Sequence, residues 1–147
     1  MKTNLMLKAA MTLSLLAAGC SLASACTMVS TSAGIMTISP DGRGMDSAQA
    51  GASQGTITVI CDTTGIISVA NPIPVGAGAS LAFANGSNYG ASILLAGTSY
   101  ATINNTGASS FSPISSGVYS VHAWLSSGVA LPAGDYAMTV TSSLVAN

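Results

Sequence analysis

Short segments rich in Val, Ile, Thr and Tyr recur along the chain, separated by clusters of Gly, Pro, Asn and Ser. This spacing is typical of β-strands joined by turns. Helix signals are scarce after residue 25, because that part has no Glu, no Lys and no sustained apolar spacing of three and four. The sequence therefore predicts an all-β protein, with its best-defined strands at GTITVIC, GIISVA, YGASILLA, SYATIN, VYSVHAWL and DYAMTVTSSLVA.

Alternation of side chains along these strands assigns their faces. In GTITVIC, Ile57, Val59 and Cys61 share one side, which we expect to be buried. In VYSVHAWL, His122 and Trp124 lie on the side opposite an apolar set, which consists of Tyr119, Val121, Ala123 and Leu125. Strands that are half buried in this way suit two antiparallel sheets packed face to face. Loops are expected at SPDGRGMDSAQAGASQG, NPIPVGAGAS and NNTGASSFSPISSG.

The first 25 residues have the pattern of a secretory signal peptide. Lys2 and Lys8 provide a basic start, AAMTLSLLAAG a short apolar core, and Ala23-Ser24-Ala25 a small-residue cleavage site. The apolar core is too short to span a bilayer, and no later run approaches that length, so we expect no membrane insertion. The sequence predicts one domain over residues 26–147. A competing interpretation is lipidation at Cys20, although Ala17 stands where a lipoprotein box usually has Leu.

Cleavage after Ala25 leaves two cysteines, Cys26 and Cys61, in an exported chain. An even pair in an oxidising compartment predicts a disulfide. The same cleavage leaves Arg43 as the only basic side chain against four aspartates. Nucleic acid and anionic lipid attract basic patches, so neither is an expected partner.

No pattern in the chain points to catalysis or to a bound metal or cofactor. His122 is the only histidine, and no serine lies in a nucleophile-elbow pattern, so we expect an exposed strand residue there. Two cysteines and one histidine have no zinc spacing. The aspartates Asp41, Asp46 and Asp62 are not at the alternating positions of a calcium loop. Since Glu is absent after residue 25, paired carboxylates for glycoside hydrolysis are also not indicated.

Trp124 is a candidate surface contact, because an exposed tryptophan is enriched at binding interfaces. The alternative is that it caps an edge of the core, or that the assignment of faces is displaced by one residue. The sequence leaves both interpretations open.

The order of several segments resembles one family. GTITVIC after a Gly-rich loop, the early Cys26 to pair with Cys61, and the ending VHAWLSSGVALPAGDYAMTVTSSLVAN are similar to the spore coat protein U-like domain of archaic chaperone-usher pilus subunits. The similarity is strong over residues 113–147, moderate over 26–61 and poor between them.

This resemblance implies an immunoglobulin-like antiparallel β-sandwich that lacks its final strand. A periplasmic chaperone would first fill the open groove, and another pilus subunit would then insert a strand at the outer-membrane usher. The protein would thus pass through the periplasm to the cell surface or a fimbria. By the same resemblance, the last strand forms one wall of the strand-acceptor groove, through Tyr136, Met138, Val140 and Leu144.

Subunits of this family that polymerise carry alternating apolar residues before the first cysteine. Cleavage after Ala25 leaves none, so we expect a subunit that accepts a strand without donating one, as at a terminus or tip. The alternative is a self-contained secreted or envelope-associated sandwich that binds a ligand through loops such as DGRGMD or NPIPVGAGAS. The scarcity of charged and aromatic residues argues against a specific polar ligand there.

Overall fold

The computed structural model describes residues 26–107 and 109–146. The predicted signal peptide and the possible lipidation of Cys20 lie outside these residues. The described chain is mostly β-strand in antiparallel sheets, as the spacing of its β-branched segments predicts. Within these two ranges, no helix has the length and apolar character needed to cross a membrane.

The described residues form thirteen strands and one helix, joined by turns and loops. In chain order they are β1 (Cys26–Ser32), β2 (Thr37–Ile38), β3 (Gly44–Asp46), β4 (Gly55–Cys61), β5 (Gly65–Val69), β6 (Ile73–Val75), α1 (Ala77–Ala84), β7 (Asn88–Leu95), β8 (Thr98–Asn104), β9 (Ser109–Phe111), β10 (Pro113–Ile114), β11 (Gly117–Ser126), β12 (Ala137–Thr139) and β13 (Ser142–Ala146).

The first layer is a large antiparallel sheet in the order β1-β4-β11-β7-β8-β9, with β3 also paired to β11 and β2 to β3. The ten-residue strand β11 organises this sheet. Its first half pairs with β4, its second half pairs with β3, and β7 runs along its other side. The β2-β3 hairpin is therefore held against the end of β11.

The second layer consists of β10-β5-β13 and β6-β12. Two of its ladders are nearly continuous, because one ends at the pair of Thr139 with Ile73 and the other begins at the pair of Ser142 with Val69. Between them, the N–H group of Ala70 donates to the carbonyl oxygen of Thr141 at 2.9 Å. The predicted strand at the end of the chain is thus interrupted at residues 140–141 but keeps one partner segment, residues 65–75.

One hydrophobic core lies between the two layers, and it confirms the predicted faces, although Cys61, at the end of β4, is only half-buried against it. Ile57 and Val59 are buried while Ile60 is 54% exposed. The apolar side of β11 is also buried, whereas His122 and Trp124 lie on its outer side. The second layer contributes Ile67, Val69, Met138 and Val140 to the same core.

The helix α1 is the main difference from the expected architecture, since its first residues fall in a segment predicted to be a loop. Its sequence, AGASLAFA, has no apolar stripe. The residue at its N-terminal cap is Gly76, which has no side chain to accept a hydrogen bond from the first turn. Packing forms this helix: the ring of Tyr136 lies against Gly78, where a side-chain carbon would come within 2.4 Å of it. Only glycine allows that approach.

The predicted disulfide is present. Cys26 and Cys61 are directly opposite each other in the β1-β4 ladder, and their sulfur atoms are bonded at 2.05 Å. The bond joins the start of β1 to the end of β4. It therefore fixes the first described strand to the sheet, in addition to the ladder hydrogen bonds.

We predict that the double variant Cys26→Ser/Cys61→Ser loses roughly 3–4 kcal/mol of unfolding free energy, because the unfolded chain regains the entropy that the closed loop removes. Urea unfolding of the oxidised protein and the variant measures this difference. Thr27→Ala is the control, since Thr27 is exposed on the adjacent ladder pair and should change stability by less than about 0.5 kcal/mol. Equal midpoints for the double variant and the wild type would contradict the prediction.

Candidate functional site at the edges of the terminal strands

The first and last described strands, β1 and β13, both lie at the edge of a sheet. β1 pairs only with β4, and β13 pairs only with β5, within the part of the chain that the structure describes. An edge strand presents backbone N–H and C=O groups on its outer side that can pair with another chain. These two edges are therefore the candidate site.

The two edges come together at one side of the sandwich. Gly65 marks the meeting point, because a side-chain carbon there would lie 2.6 Å from Sγ of Cys26 and 3.2 Å from the carbonyl oxygen of Val145. Gly65, at the start of β5, is therefore packed against both the disulfide end of β1 and the end of β13.

The core-facing side chains of β1 become more exposed to solvent from the start of the strand to its end. Cys26 is 4% exposed and Met28 is half-buried. Thr31 is exposed, although its ladder partner Ile57 is fully buried and directly opposed side chains point to the same face. The core-facing side of β1 is therefore open beyond Met28.

The predicted groove residues divide into two groups. Tyr136, Met138 and Val140 are 4%, 1% and 1% exposed, so the chain's own residues already cover them. Leu144, in β13, is half-buried. The part of the last strand segment that remains open is therefore β13, and Leu144 is its accessible apolar side chain among the four.

Tyr136 is held at the start of the last strand segment by two contacts. Its hydroxyl donates a hydrogen bond to the carbonyl oxygen of Pro132, four residues earlier, and its ring packs on Gly78 of α1. Burial raises the pKa of Tyr136, because the phenolate would lose its hydration. The side chain therefore stays neutral and fastens the turn before β12 to the core.

Ser142, at the start of β13, lies on the core side of the strand, and the sequence did not indicate any role for it. Its side chain is 1% exposed, and its hydroxyl has no hydrogen-bond partner in the described chain. An unsatisfied buried hydroxyl costs about 1–3 kcal/mol. The next residue, Ser143, is on the other face and shares a 2.7 Å hydrogen bond with Ser68.

Trp124 lies on the outer face of the first layer, as its alternation predicted, and is half-buried there. It stands opposite Gly90 of β7 and Asp46 of β3. Its ring centroid is 5.3 Å from that of His122. The candidate surface contact is therefore on a different face from the β1 and β13 edges.

His122 is half-buried rather than exposed, because Nε2 lies 2.7 Å from Oδ1 of Asp46. The sequence could not indicate this pair, since its members are 76 positions apart and meet only through the β3-β11 ladder. No described serine or cysteine side chain hydrogen-bonds to His122. No group of three metal-ligating His, Cys, Asp or Glu side chains occurs in residues 26–107 and 109–146 either.

No protein-family model, curated protein or solved structure matches this chain. The structural conclusions above therefore rest on the chain's own residues. The resemblance to pilus subunits stays an expectation drawn from its sequence segments.

We predict that Ser142→Ala and Ser143→Ala change stability in opposite directions. Ser142→Ala removes an unsatisfied buried hydroxyl and should raise the unfolding free energy by about 1 kcal/mol. Ser143→Ala should lower it by about 0.5–1 kcal/mol, because it removes the hydrogen bond to Ser68. Urea unfolding of both variants measures the effect, and destabilisation by Ser142→Ala would contradict the assignment of its hydroxyl.

Proposed function

We propose that this chain is a structural and adhesive pilus-type subunit of a chaperone-usher system, whose β-sandwich is completed by a strand from another polypeptide. The observation that carries the proposal is the juxtaposition of β1 and β13. Both are edge strands among the described residues, and they meet beside Gly65. A strand added along these edges would pair with their outward backbone groups.

Strand addition suits these edges for two physical reasons. Main-chain hydrogen bonds from an added strand would use the outward N–H and C=O groups of β1 and β13. Alternate side chains of the same strand would cover the partly open apolar surface at Met28 and Leu144, which are both half-buried. The two gains come from one ligand, an extended peptide with alternating apolar residues.

The position of Tyr136 supports the idea that the missing strand is the last one. In immunoglobulin-like sandwiches, a tyrosine near the start of the penultimate strand bonds back to the backbone a few residues upstream. Here the tyrosine that bonds back to Pro132 begins the final strand segment of the chain. On this interpretation, β12 and β13 occupy the penultimate position, and the strand that should follow them is supplied by a partner.

The partners that this proposal requires are a periplasmic chaperone, an outer-membrane usher and other pilus subunits. A chaperone strand would hold the edge until a subunit strand replaces it, since an open edge invites aggregation. The proposed route is export to the periplasm and then assembly at the cell surface or in a fimbria. The disulfide is consistent with an oxidising compartment.

The alternative is a self-contained secreted or envelope-associated sandwich that acts as a binding module. The chain's own residues bury Met138 and Val140, so these two side chains offer almost no apolar surface to an added strand. This burial favours the self-contained module. The alternative predicts a monomer that is stable without any added strand.

The test is a fusion that supplies a strand to residues 26–147. A flexible Gly/Ser linker after Asn147 would carry ten residues of alternating Val and Thr, about 33 Å when extended. We expect this fusion to raise the melting temperature by roughly 10 °C relative to the unfused chain, because it adds two ladders and covers Met28 and Leu144. Thermal unfolding and size-exclusion chromatography measure stability and aggregation.

The matched control is a fusion of the same length and composition in which the Val and Thr residues are grouped, so that no face is apolar. It should melt close to the unfused chain. An unfused chain that is monomeric and melts cooperatively at the same temperature as both fusions would contradict strand complementation and support the self-contained module.

A further inference from the structure

The fold gathers most of the chain's rare chemical groups at one place. After residue 25 the sequence has five charged residues, one histidine and one tryptophan. Three of those charged residues, Asp41, Arg43 and Asp46, lie on the β2-β3 hairpin, which packs against the end of β11 that carries His122 and Trp124. These residue types are rare in the chain, and they come from segments far apart in the sequence. Their meeting at one place indicates a specific site.

The hairpin loop is held in shape by its own hydrogen bonds. The hydroxyl of Ser39 donates to Oδ1 of Asp41 at 2.5 Å and accepts from the N–H group of Gly44 at 2.8 Å. The N–H group of Arg43 donates to the same Asp41 oxygen at 3.1 Å. These bonds, that of Ser39 first, lower the pKa of Asp41. The loop therefore presents an ionised carboxylate from a defined turn.

A cavity of about 440 Å³ lies between this loop and the end of β11, with Asp41, Arg43, Asp46, Gln49 and Trp124 in its lining. This volume is in the range of small-ligand sites. The cavity is open, and it is on the outer face of the first layer, away from the β1 and β13 edges.

Several polar groups of this cavity are unused by the protein. The guanidinium of Arg43 and the side-chain amide of Gln49 make no hydrogen bond or ion pair within the described chain. Oδ1 of Asp46 accepts from the N–H group of Ala48 and lies 2.7 Å from His122, whereas Oδ2 has no such partner there. The cavity thus offers planar donors and planar acceptors to a ligand.

Trp124 adds a flat apolar surface to these polar groups. Its six-membered ring lies over Gly90, where a side-chain carbon would come within 2.3 Å of the ring. The ring therefore rests on bare backbone on one side. An aromatic ring beside polar groups recognises a ligand that is apolar on one face and polar at its rim.

We propose that this cavity binds a neutral saccharide. A pyranose stacks its C–H face on the ring of Trp124, while its hydroxyls hydrogen-bond to Oδ2 of Asp46, the guanidinium of Arg43 or the amide of Gln49. The two carboxylates outnumber the single arginine, which disfavours acidic sugars and other anions. The site is independent of strand complementation, and it would make the subunit itself adhesive.

The only tryptophan of the chain provides the readout. Residues 26–147, purified from the periplasm and isolated as the monomeric fraction by size-exclusion chromatography, are titrated with methyl glycosides of glucose, galactose and mannose up to on the order of 10 mM. We expect at least one of them to change the tryptophan emission in a saturable way. Glucuronate and N-acetylneuraminate, titrated in parallel, should give no saturable change.

Arg43→Gln and Gln49→Ala then test the polar groups without removing the fluorophore. Each should weaken binding, Arg43→Gln by about tenfold or more, since it removes charge-assisted hydrogen bonds. Gln54→Ala is the matched control, because Gln54 is half-buried like Gln49 but lies outside the cavity, and it should leave affinity unchanged. No response to any neutral glycoside, a response to acidic sugars alone, or equal binding by both cavity variants would overturn the proposal.

Discussion

The backbone edges of β1 and β13 are the constraint on which the rest of this structure depends. Each strand is paired on one side only within the described chain, and the two approach each other beside Gly65. The Cys26–Cys61 bond fixes β1 to the first layer, and the long pairing with residues 65–75 fixes the last strand segment to the second. Both strands are therefore firmly attached to their sheets, and the positions of their unpaired edges relative to each other are fixed.

The central strand β11 separates the two proposed activities. Its inner side, with Tyr119 and Val121 fully buried, holds the two layers together. Its outer side carries His122 and Trp124 to the polar cavity at the β2-β3 hairpin. Since the assembly edge and the cavity share no strand, a partner strand at β1 and β13 leaves the cavity accessible. Assembly and adhesion can thus be tested by separate substitutions.

Sequence reasoning succeeded where the signal was local. Alternation with a period of two assigned the faces of β4 and β11, and an even cysteine count predicted the disulfide. It failed where distant contacts decide the outcome. Helix α1 has neither a capping residue nor an apolar stripe, and it forms against Tyr136. The Asp46–His122 pair and the unsatisfied hydroxyl of Ser142 likewise depend on how strands far apart in the sequence are brought together.

The few charged residues of the chain are not spread evenly over the fold. Few charged residues argued against a specific polar ligand, yet the fold places Asp41, Arg43 and Asp46 around one cavity. Their convergence depends on the pairing of β3 with β11, which a linear sequence does not display.

Amide hydrogen exchange along β1 and β13 tests the central claim most directly. In residues 26–147 alone, the outward N–H groups of both strands should exchange far faster than those of β11, because water reaches them. Addition of an extended peptide with alternating apolar residues should slow exchange on both edges together. Strong protection of both edges before any peptide is added would show that the sandwich is already complete and would contradict the account.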